Sequence, residues 1–388
     1  MRLAIINLTA GGLSGGYKKY LANMLPRMAT HKDIDSLLCV YPDGGGITPC
    51  VYESPKIEYG ECSALSLRHL AHIPDRKMMA CVKKFSPDIV FFPVDRYINF
   101  HGIPVVNMVR NMEPFVPNMR GDSMKEKIKK LVQRKFTTRS VRRADHTIAV
   151  SIYVKDYLMN PLGVDEGKIS MVHHGLSSSS EGNISRPASI PTDWDRDFLF
   201  TCGSVRPARG LEDILQALVL LKQQSLDIRL VIAGETSPGM RKYRHGLEGM
   251  LTSRGLGDSV CWTGCLNDEE MRWCYKKCRL FVMTSRIEAC PNIAIEAMSN
   301  GCISIATDNP PMPEFFLDLA AYYEPGNAQA LATIILSRLS LDDSQRSLLA
   351  ERSRIRSKQF SWDRTAEMTL SVLTQVLNQS RGIESRTP

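Results

Sequence analysis

Phe198–Leu221 reads FLFTCGSVRPARGLEDILQALVLL, in which a strand-length apolar run, a turn and an amphipathic helix marked by Leu211, Ile214, Leu215 and Leu218 follow one another. The same alternation recurs along the chain. Short β-branched and apolar runs stand at Arg2–Leu8 (RLAIINL), Asp88–Val94 (DIVFFPV), Pro104–Val109 (PVVNMV) and His146–Ser151 (HTIAVS), then at Ile228–Gly234 (IRLVIAG), Leu280–Ser285 (LFVMTS) and Cys302–Thr307 (CISIAT), with helix-like segments between them. Strands alternating with helices predict parallel sheets covered on both faces.

At 388 residues the chain exceeds what one hydrophobic core organises, so two α/β units are expected. Between them, Ser177–Asp197 (SSSSEGNISRPASIPTDWDRD) is rich in Ser and Pro and lacks periodicity, as a linker does. The expected division is therefore 1–176, a linker over 177–197, and a second domain over 198–363. Hydrophobic residues at 43% and charged residues at 23% exclude a disordered or fibrous chain. No apolar run approaches the roughly 18 residues of a membrane span, and the first residues suit a buried strand better than a leader, so a cytoplasmic protein is expected. Its eleven cysteines then read as reduced thiols.

The net charge of +8 has a local origin. Lys125–Arg143 (KEKIKKLVQRKFTTRSVRR) holds nine basic residues and one acidic residue, which alone gives +8. Ile128, Leu131, Val132, Phe136 and Val141 are interleaved with the charges. One or two basic amphipathic helices are expected, either resting on anionic lipid or forming a solvated face. Nucleic acid is not the expected partner, because neither an aromatic stacking set nor a binding motif accompanies the charge.

Open parallel sheets bind ligands beyond the carboxyl ends of their strands, which directs attention to the residues after each strand. After the first comes TAGGLSGGYKKYL, Thr9–Leu21, where Gly11, Gly12, Gly15 and Gly16 precede a helix and let backbone approach a ligand. Its spacing is neither that of a dinucleotide fingerprint nor that of a P-loop. In the turn of Phe198–Leu221, Arg206 and Arg209 stand just before a helix, an arrangement suited to a diphosphate as well as to an ordinary exposed turn. In Ser285–Gly301 (SRIEACPNIAIEAMSNG), Pro291 suits a first helical position and Gly301 a C-terminal cap. Glu288 then precedes the helix and Glu296 lies about one turn inside it. Pro291 lacks an amide hydrogen, which leaves Cys290, Asn292 and Ile293 as backbone donors toward an anion.

Other clusters read as structural. Cys261, Cys265, Cys274 and Cys278 have a spacing that admits zinc, but they fall on a strand end and a helix where buried thiols are the simpler reading. His173 and His174 suit an interdomain lining. Met108, Met112 and Met119 read as filling.

The Glu288/Glu296 spacing, AMSNG after it, the turn GSVRPARG and the N-terminal glycine loop together resemble family 4 of the retaining glycosyltransferases. The likeness runs through TIAVSIYVKDYL, MVHHGL, VIAGE, VCWTGCLNDEEM and FSWDRTAEM. It implies the GT-B fold, two Rossmann-like α/β/α domains facing across a central cleft, with a final helix at about 364–378 packing back on the N-terminal domain. By the same resemblance Glu288 contacts hydroxyls of the donor sugar and Glu296 the ribose of the nucleotide. Arg209 matches the second cation of the family's phosphate turn. Ser204 stands where the first belongs, a departure that Arg206 would offset. Arg110, after Pro104–Val109, takes the place of a histidine common in the family and is expected to meet donor or acceptor. The implied reaction moves a sugar from a nucleoside-diphosphate sugar to a hydroxyl of a glycan or lipid-linked acceptor with retention. Neither a metal nor a cofactor beyond the donor is called for. Surface polysaccharide or lipopolysaccharide assembly at the inner face of a bacterial membrane is the implied setting. A nucleotide-sugar epimerase and a weakly catalytic partner subunit are the alternatives.

Overall fold

A computed structural model describes residues 1–8, 15–43, 52–63, 69, 72–116, 124–176, 182–195 and 198–384. Gly11, Gly12 and Met119 of the expected features lie outside these residues. The chain divides into two units. The first gathers Met1–Pro117, Met124–Ser177 and Ser361–Pro388, and the second contains Ser178–Phe360.

In the first unit the strands are β1 (Arg2–Ile6), β2 (Ser36–Pro42), β3 (Ile57–Cys62), β4 (Ile89–Phe92), β5 (Val105–Val109), β6 (His146–Ala149) and β7 (Ile169–Met171). They form one parallel sheet in the order β3-β2-β1-β4-β5-β6-β7. Helices α1 (Gly15–Thr30), α2 (Arg76–Phe85), α3 (Met124–Arg143) and α4 (Ile152–Met159) connect them. Every residue of β4, β5 and β6 is buried; β4 is continuously apolar, and the polar side chains of the other two are paired, with Thr147 Oγ1 donating to Asn107 Oδ1 at 2.8 Å and His146 Nε2 lying 2.9 Å from Ser170 Oγ. Edge strand β3 is mostly exposed or half-buried and carries Glu58 and Glu61, which disfavours pairing with another edge.

The second unit repeats the plan. Strands β8 (Leu199–Cys202), β9 (Leu230–Ala233), β10 (Val260–Gly264), β11 (Leu280–Met283), β12 (Ser304–Thr307) and β13 (Ala320–Tyr323) are parallel in the order β10-β9-β8-β11-β12-β13. Around them lie α5 (Leu211–Lys222), α6 (Arg241–Ser253), α7 (Asp268–Lys277), α8 (Asn292–Ser299), α9 (Met312–Phe316), α10 (Ala328–Leu339) and α11 (Asp343–Ser357). The apolar stripe expected on α5 is its buried face: Leu211, Ile214, Leu215 and Leu218 pack into the core with β8, β9 and β11. In both sheets the order reverses beside the first strand of the unit, and an open α/β sheet forms its ligand crevice at such a point.

Two sequence expectations need adjustment here. From Ser178 onward the stretch expected as a linker goes with the second unit. Its apolar residues have somewhere to go: Trp194 is buried with Arg229 over its ring, and Arg186 lies over Trp273. The last helix, α12, runs over Trp362–Glu384 rather than 364–378. It belongs to the first unit, where Trp362 stacks near His174 and Tyr20 and where Arg27–Asp363 and Arg381–Asp88 pair at 2.7 and 2.6 Å. At Gly175 a Cβ would come within 2.1 Å of Trp362 N, so only glycine allows this crossing.

The basic segment is one helix, α3, without a continuous apolar face. Thr137, Ser140 and Val141 are buried in its second half, whereas Ile128, Leu131 and Val132 are 57%, 67% and 45% exposed among the lysines of its first half. Among the described residues no helix is long and apolar enough to cross a membrane, and none of the ten cysteines is joined in a disulfide.

Candidate functional site

The site is assembled after β8 and β11, adjacent strands of the second unit. Beyond β8 the chain turns at Gly203, whose φ of +123° suits glycine and whose amide donates to Ala233 O at 2.8 Å. A Cβ on the neighbouring Gly234 would come within 2.0 Å of Gly203 O, so the β8 and β9 turns touch backbone to backbone. Ser204 is exposed. Arg206 is extended and half-buried, and it opens a single 3-10 turn, Pro207–Arg209, in which its carbonyl accepts from Arg209 N at 2.9 Å. Gly210, at φ +59°, then starts α5.

This tight turn carries the Arg209 guanidinium back over Gly203, where a Cβ would approach Arg209 Nε to 2.7 Å. The loop after β11 grips the same turn: Thr284 Oγ1 donates to Arg209 O at 2.6 Å and Arg286 N to Ala208 O at 2.9 Å. Held from both sides, Arg209 Nη1 donates to Ser285 Oγ at 3.0 Å and forms an ion pair with Glu288 Oε1. The two charged side chains retain 18% and 13% of their exposure, so the pair is partly desolvated and still open to a ligand. Behind it, Arg286 donates to buried Asp213 at 2.8 Å, and Asp213 also accepts from Tyr323 Oη at 3.2 Å and Gly326 N at 2.9 Å. A carboxylate so fully satisfied is a brace rather than a reactive group.

Glu296 sits in α8, one turn past Asn292. Its Oε2 accepts from Tyr275 Oη at 3.1 Å, and that phenol also lies 3.2 Å from Cys202 Sγ at the end of β8. A carboxylate only accepts, so the phenol proton points to Glu296 and the Cys202 thiol donates to the phenol oxygen. Burial, followed by the neighbouring Cys202, holds the Tyr275 phenol well above its usual range. Pro291 precedes α8 instead of opening it, because its ψ of 87° is not helical. Ala294 N closes the first turn onto Pro291 O at 2.9 Å, which leaves Asn292 and Ile293 in the open end of the helix. Asn292 Oδ1 is buried and has no hydrogen-bond partner. Gly301, at φ +72°, ends the helix: its amide bonds Met298 O at 2.9 Å and that of Cys302 bonds Ala297 O at 3.0 Å.

In the first unit, Arg110 follows β5 and lies over the Tyr20 ring at 5.3 Å. Tyr20 belongs to α1, the helix that Gly15 and Gly16 begin, so these three expected residues share one end of the sheet.

Sequence reasoning missed Ser285, Thr284, Tyr275 and Tyr20. The first two directly follow β11, and inspecting every residue after a strand finds them. Nothing in the local pattern marks Tyr275. Among the described residues no group of three or more His, Cys, Asp or Glu is placed to hold a metal ion.

Known proteins agree with this architecture. Residues 186–356 match the family described as glycosyl transferases group 1, and residues 15–179 match glycosyltransferase family 4. Each of the two units thus carries a match to a glycosyltransferase family model. It is 28% identical over 169 residues to the uncharacterized glycosyltransferase YqgM of Bacillus subtilis, covering 44% of each protein. It is 27% identical over 171 residues to O-antigen chain mannosyltransferase B of Escherichia coli, covering 44% of this chain and 43% of that one. The matches thus span less than half the length of these relatives. The crystal structure of Anabaena Alr3699/HepE in complex with UDP and glucose superposes with a TM-score of 0.70 at 16% identity, covering 97% of this chain and 100% of that one. The likeness is one of fold, and the fold is GT-B, built from two Rossmann-like α/β domains.

Proposed function

We propose that this protein transfers a sugar from a nucleoside-diphosphate sugar to an acceptor hydroxyl with retention at the anomeric carbon. One observation carries the reading: Arg209 and Glu288, a cation and a carboxylate from the turns after β8 and β11, meet at the crevice of a GT-B donor-type sheet. Each is the other's partner until a donor arrives. The diphosphate then takes Arg209, with Arg206 supplying the charge that Ser204 lacks and the Asn292 and Ile293 amides adding donors at the mouth of α8. Glu288, released, accepts from a sugar hydroxyl, while Glu296 accepts from the ribose. Gly15, Gly16 and Arg110 serve the acceptor side.

In the transfer step the bond from the anomeric carbon to the phosphate oxygen breaks as the acceptor oxygen bonds to the same face. The departing oxygen takes the hydroxyl proton. Arg206, Arg209 and the helix amides stabilise its charge, a task that in this arrangement falls to side chains and not to a metal ion. UDP and glucose bound to the Anabaena protein support a nucleotide-sugar donor, and the O-antigen relative supports surface polysaccharide or lipopolysaccharide assembly. Exposed apolar and basic residues of α3 support a cytoplasmic enzyme resting on anionic lipid while it serves a lipid-linked glycan acceptor.

The test is to incubate purified protein with a panel of nucleotide sugars, with and without chelator, and to read product configuration by NMR. Transfer or donor hydrolysis with retained configuration, unaffected by chelation, is expected. An inverted product, an epimerised donor or no turnover with any donor overturns the reading.

A further inference from the structure

Glu288 stands on a stretch without regular structure, residues 284–288, between β11 and α8. Thr284 and Ser285 are buried there, so backbone groups beyond the end of the strand still need partners. Side chains from elsewhere in the second unit supply several. Thr307 Oγ1, at the end of β12, donates to Ser285 O at 2.8 Å, and Asn309 Nδ2 donates to Arg286 O at 3.1 Å.

These ties converge on Arg286. Its amide donates to Ala208 O at 2.9 Å in the turn that carries Arg209, its carbonyl is held by Asn309, and its guanidinium donates to Asp213 Oδ1 at 2.8 Å in the first turn of α5. Gly210 lies against the same residue. A Cβ at Gly210 would come within 2.3 Å of Thr284 O and 3.0 Å of Arg286 Nε, so the turn after β8 and the loop after β11 meet with no space between them.

Arg286 is not a third ligand for phosphate. Two carboxylates, Asp213 and at 3.9 Å Glu212, lie within ion-pair range, so its charge is already matched inside the protein. Asp213 is fixed in turn by Tyr323 Oη and Gly326 N, which ties Arg286 to the end of β13 as well as to α5. Arg209 differs, because its carboxylate partner Glu288 is itself a residue of the site.

We infer that Arg286 is a positioning residue, which joins the turn carrying Arg209 to the loop carrying Glu288 and so sets the spacing between them. The role rests on the donor reading given above, in which Arg209 holds the diphosphate and Glu288 the sugar. Arg286 acts through Glu288. A displacement of about 1 Å at a positioned group lowers a rate by up to about 100-fold. A diphosphate held by Arg209 and the mouth of α8 does not depend on where Glu288 lies.

Arg286→Met keeps the stem and removes the guanidinium, and Arg286→Lys is its conservative counterpart. In the full chain, transfer by Arg286→Met falls about 10- to 100-fold, while affinity for UDP, GDP or ADP, whichever the wild type binds, stays within about threefold. Arg286→Lys recovers part of the transfer. Asn309→Ala, which releases the Arg286 carbonyl without uncovering a buried charge, shows the same split between rate and affinity. In a Glu288→Gln background Arg286→Met costs no more than about twofold, because the residue through which it acts is already altered. A crystal structure of Arg286→Met shows residues 284–288 displaced and the Arg209–Glu288 pair opened. Wild-type transfer in Arg286→Met, an equal loss in the Glu288→Gln background, or an unmoved Arg209–Glu288 pair overturns the inference. If the wild type transfers sugar from no donor, it is the donor reading that fails, and the crystal structure alone decides whether Arg286 sets the spacing of the pair.

Discussion

Arg209 and Glu288, 79 residues apart in sequence, form an ion pair over the carboxyl ends of β8 and β11, with Ser285 as a second acceptor for the same guanidinium nitrogen. The pair exists because those two strands are neighbours at the reversal of the sheet order. Removing the cation and removing the carboxylate have different consequences. Arg209→Ala should weaken nucleoside diphosphate binding by about 1.5 to 3 kcal/mol, the worth of a hydrogen bond to a charged group. Glu288→Gln should leave that affinity near wild type, since it frees Arg209, and lower transfer instead. Calorimetry paired with turnover measurements checks both, and equal loss of diphosphate affinity in the two variants would contradict the division of roles.

Tyr275 connects Glu296 to the end of β8. Tyr275→Phe removes one hydrogen bond from the carboxylate while keeping the ring packed against Phe200 and Phe281. KM for the donor should rise by a few-fold, in line with a contribution of about 1 kcal/mol, with kcat little changed. Glu296→Gln, which alters the carboxylate itself, should have the larger effect. Because the phenol is held protonated, donor affinity should show no tyrosine ionisation step near pH 10, the usual phenol range.

His174 is enclosed by Tyr20 and Trp362, and burial, reinforced by the nearby Arg110 guanidinium, lowers its pKa well below the usual value. A folded-state pKa below the unfolded one contributes stability that is present above about pH 6.5 and lost as the pH falls below it, because the unfolded chain then binds the extra proton. His72 and His146 are shifted in the same direction. The melting temperature should therefore fall between about pH 7.5 and about pH 5, and His174→Phe should make that fall shallower. A slope unaltered in His174→Phe would show that this ring does not set the acid sensitivity.

Helix α3 presents Ile128, Leu131 and Val132 to solvent among Lys127, Lys129, Lys130 and Arg134. Each basic residue near an anionic bilayer contributes about 1 kcal/mol, and salt screens the attraction. The protein should sediment with anionic vesicles at low salt and far less with neutral ones. Replacing the four named basic residues by Gln should release it. Equal sedimentation with both lipids, or none with either, would leave α3 as a solvated helix.

The sequence by itself determined the class of fold. Strands buried on both faces favour apolar residues throughout, so β4, β9 and β11 appear as short unbroken apolar runs, and the helices between the strands carry the 3.6-residue stripe seen in α5. It also directed attention to the turn at Arg206 and Arg209 and to the segment holding Glu288 and Glu296, because open parallel sheets place their crevice at the residues after strand ends. Periodicity could not supply what depends on which strands lie side by side. The contact of Arg209 with Glu288 and the support of Glu296 by Tyr275 both join residues distant in sequence. The Pro- and Ser-rich stretch before β8 was misjudged for a related reason: its composition is that of a linker, but Trp194 and Ile190 find buried places on the second unit. The exposed Ile128, Leu131 and Val132 of α3 likewise match an amphipathic pattern by composition alone. Which side of a helix is covered depends on what packs against it, and only the tertiary structure decides that.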